Sequence, residues 1–528
     1  MKKMFFMSVL LIIFSAVIIF AGGGGQQGSS NVTWTPSKAG GGRLVDTPVN
    51  LTIMNGYNPI TPPYAEVEFW KRYEKRTNVI VKWISVVDAE VAAKRNLAIA
   101  SGDLPDAFYR CGFQNIDLLT YGLDGIFQKL TSLIPTYAPN LKKMLDEDRT
   151  VAKGITQVDG NIYGLPFMSD FQSNRYGRKI FYNKVWLSAV NRTEPDTMNQ
   201  FVDLLREYRK VNPGKKDQCI PLDATDIEGL IQTFYGLFGL YNRGSATNRV
   251  DVDPKTNTLR YIQSTGEYRK MMEWLHTLYS EKLVNPDIFT TTERQMNANI
   301  QNEITGVFCF INPVPAGPFG VNYVGGGVLT GIDGTKFVNG FGSKLGVPGA
   351  FVVTNVNKHP ELSVAWADYT YSTEGILEFW MGWEGETFTI VNGVYTYVPF
   401  ITNNPSGLTL DQVVSTFVPW PGGGQPTLQT EKYSKGGASL PEAMSATRKA
   451  APYFPKEVWT PFTYTANESE RLITLQTDLN TCINEARADF ITNGVTDISW
   501  NKYLNDLKSI GQEEFMKIQN AAYQRYIK

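Results

Sequence analysis

The chain has 528 residues, with 50 Lys and Arg against 51 Asp and Glu, and a formal net charge of −1. One hydrophobic core stops growing beyond about 250 to 300 residues, so a chain of this length predicts two domains. The balanced charge provides no basic field, which argues against nucleic acid and anionic membranes as partners. Two histidines and four scattered cysteines argue against a zinc site, a Ser/His/Asp triad and a fold held by disulfides.

Residues 1–21 have the pattern of a secretory signal peptide. Lys2 and Lys3 precede an almost uncharged apolar run, and Ala21 is a small residue suited to cleavage. The alternative is an uncleaved anchor, because the run approaches the roughly 20 residues that a spanning helix needs. Glycines stand where a lipoprotein would carry its cysteine, so lipidation at an N-terminal cysteine is not expected.

Residues 22–44 are rich in Gly, Ser and Gln, a composition that cannot bury a core and predicts a flexible spacer. Whether the signal is cleaved or retained as an anchor, the remaining chain is expected outside the cytoplasm. The expected location is the periplasm or the outer face of the cytoplasmic membrane.

The first folded elements predict a parallel α/β sheet. The segment "VNLTIMNGY" alternates apolar residues as a strand does, a helical face with Phe69, Trp70 and Tyr73 follows, and "VIVKWI" is a second strand. Strand, helix and strand in close succession form a βαβ unit. A helix that ends at Gly102 and a short strand in "DLPDAFY" add another unit, so the first lobe is predicted to be doubly wound.

The ends of these strands provide the first candidate ligand-binding residues. Ligands of doubly wound sheets bind beyond the carboxyl ends of the strands. Asn55, Tyr57 and Asn58 lie where the first strand ends, and Asp106 lies at the entry to a later strand. Turn formation is the structural alternative for Asn55, Tyr57 and Asn58, and a satisfied loop carboxylate is the alternative for Asp106.

No motif in the sequence indicates catalysis. The glycine-rich segment 325–346 lacks the GxGxxG spacing, so we interpret it as a surface loop and hairpin rather than a phosphate site. Glu384 and Glu386 form a conceivable glycosidase pair, but two carboxylates two residues apart need not face one sugar. We therefore assign no catalytic residue.

The C-terminal region predicts a layer of amphipathic helices. Asn467 and Glu470 have capping-box spacing, and Gly494 is a stop signal. Between them runs an apolar stripe typical of a core-facing helix, formed by Leu472, Leu475, Leu479, Ile483, Ala486 and Phe490. Two further amphipathic helices follow, and Ser499 and Gly511 are the helix boundary signals.

Nine segments, in order along the chain, resemble the extracellular solute-binding proteins, family 1, of bacterial ABC importers. They resemble especially the long-chain branch with lipoprotein-like and alginate-oligosaccharide binders, and include "LAIASGDLPDAFY", "DGNIYGLPF", "GAFVVTNVNKHPELSVAWADYTYSTEG" and "GWEGETF". The resemblance implies an α/β, two-lobe periplasmic-binding-protein fold, type II-like, with the ligand clamped in the cleft between lobes by hinge closure. It also implies a protein that is no enzyme, works as a monomer and hands its ligand to the transmembrane subunits of an ABC permease.

The resemblance also implies that both lobes are discontinuous. The first lobe would comprise residues 45–183 with 348–425. The second would comprise residues 184–347 with 426–528, including the C-terminal helices.

One loop departs from the pattern of the long-chain branch, which often carries a calcium site. The corresponding stretch here, "NPGKKDQCIPL", begins with Asn212 instead of Asp, carries Gln218 where Glu would stand, and keeps Asp217 as its only acid. Calcium needs six to eight oxygen ligands. No metal or other cofactor is therefore expected.

Aromatic residues make up 12% of the chain, a bias that suits stacking on sugar rings. Trp383 and Trp420 lie in loops with Gly and Pro and are candidate stacking platforms, with Glu384 beside the first. Arg178 and Tyr182 lie near the implied crossing between lobes and are candidates to face the cleft. Packing of the lobes is the structural alternative for the two tryptophans, and holding a loop amide is the alternative for Glu384.

These observations predict an exported binding protein that captures a carbohydrate, most simply an oligosaccharide, for import. Two alternatives stay open at this point. One is a secreted glycoside hydrolase or lyase, and the other is a binder of a non-sugar solute such as a peptide on the same fold.

Overall fold

The computed structural model describes residues 42–215, 218–245, 249–419 and 422–528. The predicted signal peptide, nearly all of the predicted spacer, Asp217 and Trp420 lie outside these ranges. Within them, no helix combines the length and apolar character needed to cross a membrane.

The strands are distributed between residues 49 and 429. They are β1 (Val49–Tyr57), β2 (Val79–Val87), β3 (Ala107–Phe113), β4 (Leu165–Ser169), β5 (Lys179–Asn183), β6 (Ile220–Ala224), β7 (Val250–Val252), β8 (Leu259–Tyr261), β9 (Thr305–Phe310), β10 (Tyr323–Gly325), β11 (Leu345–Val353), β12 (Phe388–Val391), β13 (Val394–Tyr397) and β14 (Leu428–Gln429).

Helices connect and cover these strands. They are α1 (Glu68–Thr77), α2 (Asp88–Ser101), α3 (Asn115–Leu123), α4 (Ile134–Tyr137), α5 (Pro139–Glu147), α6 (Arg149–Ile155), α7 (Gln172–Arg175), α8 (Lys184–Ala189), α9 (Met198–Val211), α10 (Ile227–Phe234), α11 (Gly266–Ser280), α12 (Glu293–Gln301), α13 (Pro360–Asp368), α14 (Thr373–Met381), α15 (Pro399–Thr402), α16 (Leu410–Phe417), α17 (Pro441–Ala450), α18 (Ala466–Asn493), α19 (Asp497–Ile510) and α20 (Gln512–Ile527).

The first lobe is built on a sheet with strand order β2-β1-β3-β11-β4-β14. Strand β1 runs parallel to β2 and β3, in the register Val49↔Val79 and Ile53↔Ala107, which confirms the predicted βαβ unit. Strand β11 runs antiparallel to both β3 and β4. The alternation read from the sequence follows from burial, because Val49, Leu51 and Ile53 all lie in the core of this lobe.

The second lobe is built on a sheet with strand order β10-β5-β9-β6. Strand β5 is antiparallel to β9, and β6 is parallel to β9. A separate hydrophobic core surrounds this sheet and includes Phe201, Leu222 and Leu275. Each lobe thus buries its own apolar residues, as two domains of this size require.

The chain crosses between the lobes in three places, which we name the first (170–178), returning (339–344) and third (430–440) crossing segments. The first two pair with each other, since Gly177 N donates to Gly340 O at 3.0 Å and Gly342 N donates to Arg175 O at 2.9 Å. Ser173 Oγ donates to Ala438 O of the third segment at 2.6 Å. The three segments therefore form one hydrogen-bonded hinge.

The observed lobe boundaries differ from the predicted ones by a few residues. Residues 179–183 form β5 of the second sheet, although the predicted first lobe extended to residue 183. Strands β11 and β14 belong to the first sheet. The chain therefore re-enters the first lobe at Leu345 and stays in it through Gln429. The glycine-rich segment 325–346 forms no hairpin of its own, and part of it is the returning crossing segment.

The C-terminal helices pack mainly on the second lobe, where α18 lies against α11. The predicted apolar stripe of α18 faces this core, and Gly494 ends the helix as predicted. The capping box is formed by Thr465 and Glu468 rather than by Asn467 and Glu470. The signal was misplaced by two residues because both pairs have the same spacing.

All four cysteines are free thiols in the structure. Burial raises the pKa of Cys111 and of Cys309 to about 12, so neither thiol ionises near neutral pH. The fold is held by its two cores.

Candidate functional site

Both sheets present the carboxyl ends of parallel strands to the hinge. In the first lobe β1 ends at Tyr57, and β4 ends at Ser169, where the first crossing segment begins. In the second lobe β6 ends at Ala224 and pairs in parallel with β9, whose last residue Phe310 faces Lys179 at the start of β5. Because ligands of such sheets bind at this edge, the interlobe edge is the candidate ligand site.

A cavity of about 220 Å³ lies at this edge on the side of the second lobe. We name it the hinge pocket. It draws its walls from two crossing segments and from α10 with the loop that follows, and its lining comprises Arg175, Gly177, Arg178, Glu228, Gln232, Tyr235, Tyr241, Ser245, Asn339 and Gly340.

Arg178 enters this pocket from the first crossing segment, as the sequence predicted for a cleft residue. Its Nη1 lies 3.4 Å from the point that a β-carbon on Gly229 would occupy, which places the guanidinium beside the first turn of α10. The side chain forms no ion pair or hydrogen bond with any residue that the structure describes. Asp226 Oδ1 lies at the same 3.4 Å from that point on Gly229, so the guanidinium borders a carboxylate as well as the pocket.

Glu228, in the first turn of α10, has both carboxylate oxygens engaged. Arg487 Nη1 donates to its Oε2 at 2.5 Å, and Gln232 Nε2 donates to its Oε1 at 3.0 Å. Burial alone would raise the pKa of Glu228, but the charge and hydrogen bond of Arg487, the Gln232 hydrogen bond and the Arg249 charge together hold the pKa below its usual value. Glu228 is thus an ionised, fully paired wall residue.

Two tyrosine rings, tilted by 50° to each other, border the hinge pocket. The rings of Tyr235 and Tyr241 lie 4.6 Å apart between centroids. Asn339 fixes the neighbouring backbone, since its Oδ1 accepts from Gly236 N at 2.9 Å and its Nδ2 donates to Gln232 O at 2.7 Å. Aromatic surface bordered by fixed polar groups suits a ligand with apolar faces and polar edges.

Lys179, the residue after Arg178, is fully buried and has a different role. Its Nζ donates to the carbonyls of Ser173, Tyr176 and Ile311 at 2.7, 2.7 and 2.8 Å. Two of these carbonyls belong to the first crossing segment and the third follows β9. Lys179 therefore ties the hinge to the second sheet, and burial lowers its pKa to about 7.

A smaller pocket, which we name the strand-end pocket, lies in the first lobe beyond β1. It is lined by Tyr57, Asn58, Thr61, Tyr64, Val67, Arg110, Ser415, Val418, Pro419 and Gln425. Tyr57 and Asn58 were predicted at this edge. Asn58 also forms the turn that the structural alternative proposed, because Ile60 N donates to its Oδ1 at 3.0 Å.

Arg110 holds one wall of the strand-end pocket in place. Its Nη1 and Nη2 donate to the two oxygens of Asp88 at 2.5 and 3.1 Å, and its Nε donates to Gly423 O at 2.9 Å. Gly422, Gly423 and Gly424 have φ of 102°, 68° and 86°, a run of left-handed residues that glycine adopts without steric cost. Arg110 thus anchors the glycine loop, which follows directly on Trp420.

Three of the predicted site residues lie outside both pockets and serve the sheets and their packing. Asn55 is buried within the sheet and accepts from Ser85 Oγ at 2.8 Å. Tyr182 is fully buried in the core of the second lobe, since β5 points it away from the cleft. Asp106 lies at the opposite edge of the first sheet, where its Oδ2 accepts from Thr52 N at 2.7 Å. We correct these three to structural roles.

The loop after α14 places its predicted residues on the surface of the first lobe. Arg72 lies over the Trp383 ring, with its Cζ 3.8 Å from the centroid, while the same ring packs against the core of the lobe. Glu384 is exposed, and Glu386 pairs with Arg72 at 2.7 Å. Neither Trp383 nor Glu384 lines the hinge pocket or the strand-end pocket, and Trp420 lies outside the described residues.

Most residues of the hinge pocket were not predicted from the sequence. Glu228, Gln232 and Tyr235 lie on or next to α10, and Asn339 belongs to the glycine-rich segment interpreted as a surface loop. One available signal was Asp226, whose side chain caps α10 by accepting from Gly229 N at 2.7 Å. A capped helix after a parallel strand marks the ligand edge of a sheet.

Two larger cavities lie away from the interlobe edge. One, of about 290 Å³, lies between α1 and the edge strand β2 and includes Trp70 and Trp83. The other, of about 720 Å³, lies at the amino end of β6 around Ile220. Neither is at the carboxyl edge of a sheet, so size alone does not identify the ligand site.

The expected loss of the calcium site stays a prediction. Asn212 ends α9 in a left-handed conformation with φ of 49°, and Asp217 lies outside the described residues. Among the residues that are described, no cluster of three or more His, Cys, Asp or Glu has the arrangement of a metal site.

Comparison with known proteins agrees with this architecture. Residues 68–406 match the family model of bacterial extracellular solute-binding proteins. The fructooligosaccharide ABC transporter substrate-binding protein FusA of Streptococcus pneumoniae serotype 4 is 24% identical over 501 residues, covering 90% of each chain.

Two solved structures share the fold. FusA of S. pneumoniae in complex with kestose has a TM-score of 0.71 and 23% identity, covering 90% of this chain and 99% of that one. An extracellular solute-binding protein of Bifidobacterium longum subsp. infantis has a TM-score of 0.76 and 19% identity, covering 92% of this chain and 100% of that one. With two lobes, a hydrogen-bonded hinge and a family match over more than half its length, this chain belongs to the bacterial extracellular solute-binding proteins.

Proposed function

We propose that this protein is the carbohydrate-binding component of an ABC importer, which captures an oligosaccharide between its lobes and delivers it to a membrane permease. The observation that carries the proposal is the hinge pocket. It lies where the crossing segments meet the carboxyl edge of the second sheet. A ligand there would contact elements whose relative position changes when the lobes close.

The chemistry of the hinge pocket suits a sugar. Sugar rings have apolar C–H faces that pack on aromatic rings, and Tyr235 and Tyr241 provide such rings. The hydroxyl groups of a sugar need polar partners around the ring edge. Gln232, Ser245 and Arg178 provide such partners. A relative agrees with this proposal, since FusA of S. pneumoniae is a fructooligosaccharide ABC transporter substrate-binding protein whose structure was solved with kestose.

The strand-end pocket provides the opposing contact surface from the first lobe. Tyr57 and Asn58 lie at the carboxyl end of β1, beside the glycine loop that Arg110 anchors. In the proposed closed form, a ligand held in the hinge pocket would be covered by this edge. The proposed partner of that closed form is a pair of ABC permease transmembrane subunits, and the proposed binding unit is a monomer.

The proposal includes the absence of catalysis. A glycosidase needs two carboxyl groups flanking one bond at about 5 to 9.5 Å. Of the pair considered in the sequence, Glu386 is paired with Arg72 and Glu384 is exposed, and neither lines the hinge pocket or the strand-end pocket. This supports a binding protein over the hydrolase alternative.

Thermal unfolding of the purified protein with a panel of oligosaccharides, uronic-acid oligomers and peptides tests the function. A ligand at 100 times its Kd adds about 2.7 kcal/mol of stability, enough to raise the midpoint by a few degrees. We expect a shift with a carbohydrate and no cleavage products in the solution afterwards. Products would identify an enzyme, and a shift with peptides alone would identify a peptide binder.

A further inference from the structure

We propose that residues 31–36 of this chain bind to the first lobe as an added strand on the outer edge of β2, with Trp34 in the cavity beside it. That cavity, which we name the edge cavity, is the one of about 290 Å³ between α1 and β2. It shares no lining residue with the hinge pocket. Residues 31–36 lie within the predicted spacer, outside the described ranges.

The outer edge of β2 is open along the described chain. β2 is the last strand of the first sheet, and among the described residues only β1 pairs with it. Val49 N donates to Asn78 O, so in this parallel ladder the amides of Val81 and Trp83 point away from β1. Lys82 is the only charged residue of β2. A long apolar edge with outward amides is a template for another strand, and native proteins cover or charge such edges.

The face of β2 towards α1 forms one wall of the edge cavity. Val79, Val81 and Trp83 line the cavity from the strand, and the last two are only half-buried. Trp70 and Trp366 continue the wall, with ring centroids 5.3 Å apart. An aromatic side chain on a strand added beside β2 would fill this cavity and cover its apolar surface.

The described chain begins close to this strand. Leu44 is buried, and its N donates to Thr77 O at 3.0 Å, which fixes the chain at the amino end of β2. Residues 37–43 connect Leu44 to the proposed strand and can span up to about 23 Å. From Val79 to Trp83 the strand rises only about 13 Å. The segment can therefore reach the whole wall, and its direct path runs antiparallel to β2.

The segment itself has the sequence pattern of a strand. It reads "NVTWTP", in which Val32 and Trp34 alternate with polar residues, and it ends at Pro36. β-Branched and aromatic residues favour strands, and the alternation would place Val32 and Trp34 on one face. Because the segment is covalently attached, its effective concentration at this edge is on the order of millimolar, which favours it over a second copy of the chain.

Hydrogen–deuterium exchange, resolved to single amides by mass spectrometry, tests the contact. The protein used is residues 22–528, which lacks only the predicted signal peptide. We expect the amides of Val81 and Trp83 to be protected. Trp34→Ser should speed their exchange at least tenfold and leave that of Lys82, whose amide faces β1, within twofold. The substitution lies outside both hydrophobic cores, so the fold itself should be unchanged.

Gln26→Ser is the matched control, because Gln26 lies in the same uncharged stretch but outside the proposed strand. It should leave every exchange rate unchanged. Equal rates for Val81 and Trp83 in the parent and in Trp34→Ser would show that the segment does not bind there. Protection that survives Trp34→Ser and rises with protein concentration would place a second copy on this edge and overturn the proposal. Sugar affinity should be equal in all three proteins, so a failure of the sugar site is a separate outcome.

Discussion

The two walls of the cleft use arginine in opposite ways. In the first lobe Arg110 has three bonds to Asp88 and Gly423 and holds the strand-end pocket together. In the second lobe Arg178 has no partner among the described residues. The difference teaches which charges of a binding protein belong to its fold and which remain for a ligand. A cation with all its donors paired builds the wall, and an unpaired one at the same edge is free to bind.

Lys179 brings this contrast down to two adjacent residues. It follows Arg178 in the chain, yet its three donors are all used inside the hinge. Lys179 is the first residue of β5 and is fully buried, whereas Arg178 still belongs to the first crossing segment and lines the hinge pocket. The same short stretch thus supports the hinge through one residue and borders the pocket with the other.

Lys179→Met should have the largest effect on stability. The substitution keeps the length of the side chain but leaves the carbonyls of Ser173, Tyr176 and Ile311 without their donor. Each buried carbonyl that loses its partner costs about 1 to 3 kcal/mol, so we expect a loss of about 3 kcal/mol or more. Thermal unfolding measures it, with exposed Lys184→Met as the matched control. Equal unfolding midpoints for the two variants would show that Lys179 does not stabilise the hinge.

Arg110→Ala should come second and should affect stability and binding together. The guanidinium donates hydrogen bonds to a carboxylate and to a buried carbonyl. Losing these bonds should lower the free energy of unfolding by about 2 kcal/mol. The glycine loop would lose its anchor, so affinity for the sugar should fall about tenfold. Arg178→Met should change affinity without changing the unfolding midpoint. If both variants changed the affinity and the unfolding midpoint equally, the two arginines would not differ in role.

The fold was predictable because its signals are local and repeated. Alternation in β1, the helical face with Trp70 and the apolar stripe of α18 all report burial, and burial is what the structure shows for them. The family was also predictable, because nine segments resemble it in the same order along the chain. The lobe boundaries were less precise, since β5 and β14 are short and their sheet depends on distant partners.

The candidate site was predictable only in part, because a free charge leaves no local signal. Arg178 was selected for its position near the crossing, and Tyr182 was selected on the same ground, although β5 turns Tyr182 into the core. Tyr235 and Asn339 reach one pocket from segments about a hundred residues apart in sequence, which no spacing rule detects. Whether a polar side chain is engaged depends on partners that only the folded chain identifies.

The pH dependence of stability sharpens the contrast between Arg178 and Lys179. Burial lowers the Lys179 pKa from 10.5 to about 7, so above pH 7 the unfolded chain binds more protons than the folded one. Stability should therefore rise from pH 7 towards pH 10, by up to about 1.4 kcal/mol per pH unit from this group. Midpoints at pH 7, 8 and 9 measure the slope, which Lys179→Met should lack and Arg178→Met should retain. A slope that persists in Lys179→Met would assign it to another group.

Trp383→Ala should have the smallest effect on ligand binding. A sugar platform needs one open ring face, but Arg72 covers one face of Trp383 at 3.8 Å and the lobe core packs on the ring. We expect a stability loss of about 1 kcal/mol from the lost cation–π contact and packing, with unchanged affinity for the sugar. Arg72→Met, which uncovers the ring, is the matched variant. If Trp383→Ala weakens the sugar by about 1 to 3 kcal/mol, the amount a stacked ring contributes, the cleft extends to this loop. The first lobe would then hold ligand through an aromatic ring, and the unpaired Arg178 would no longer be the main contact that distinguishes the two walls.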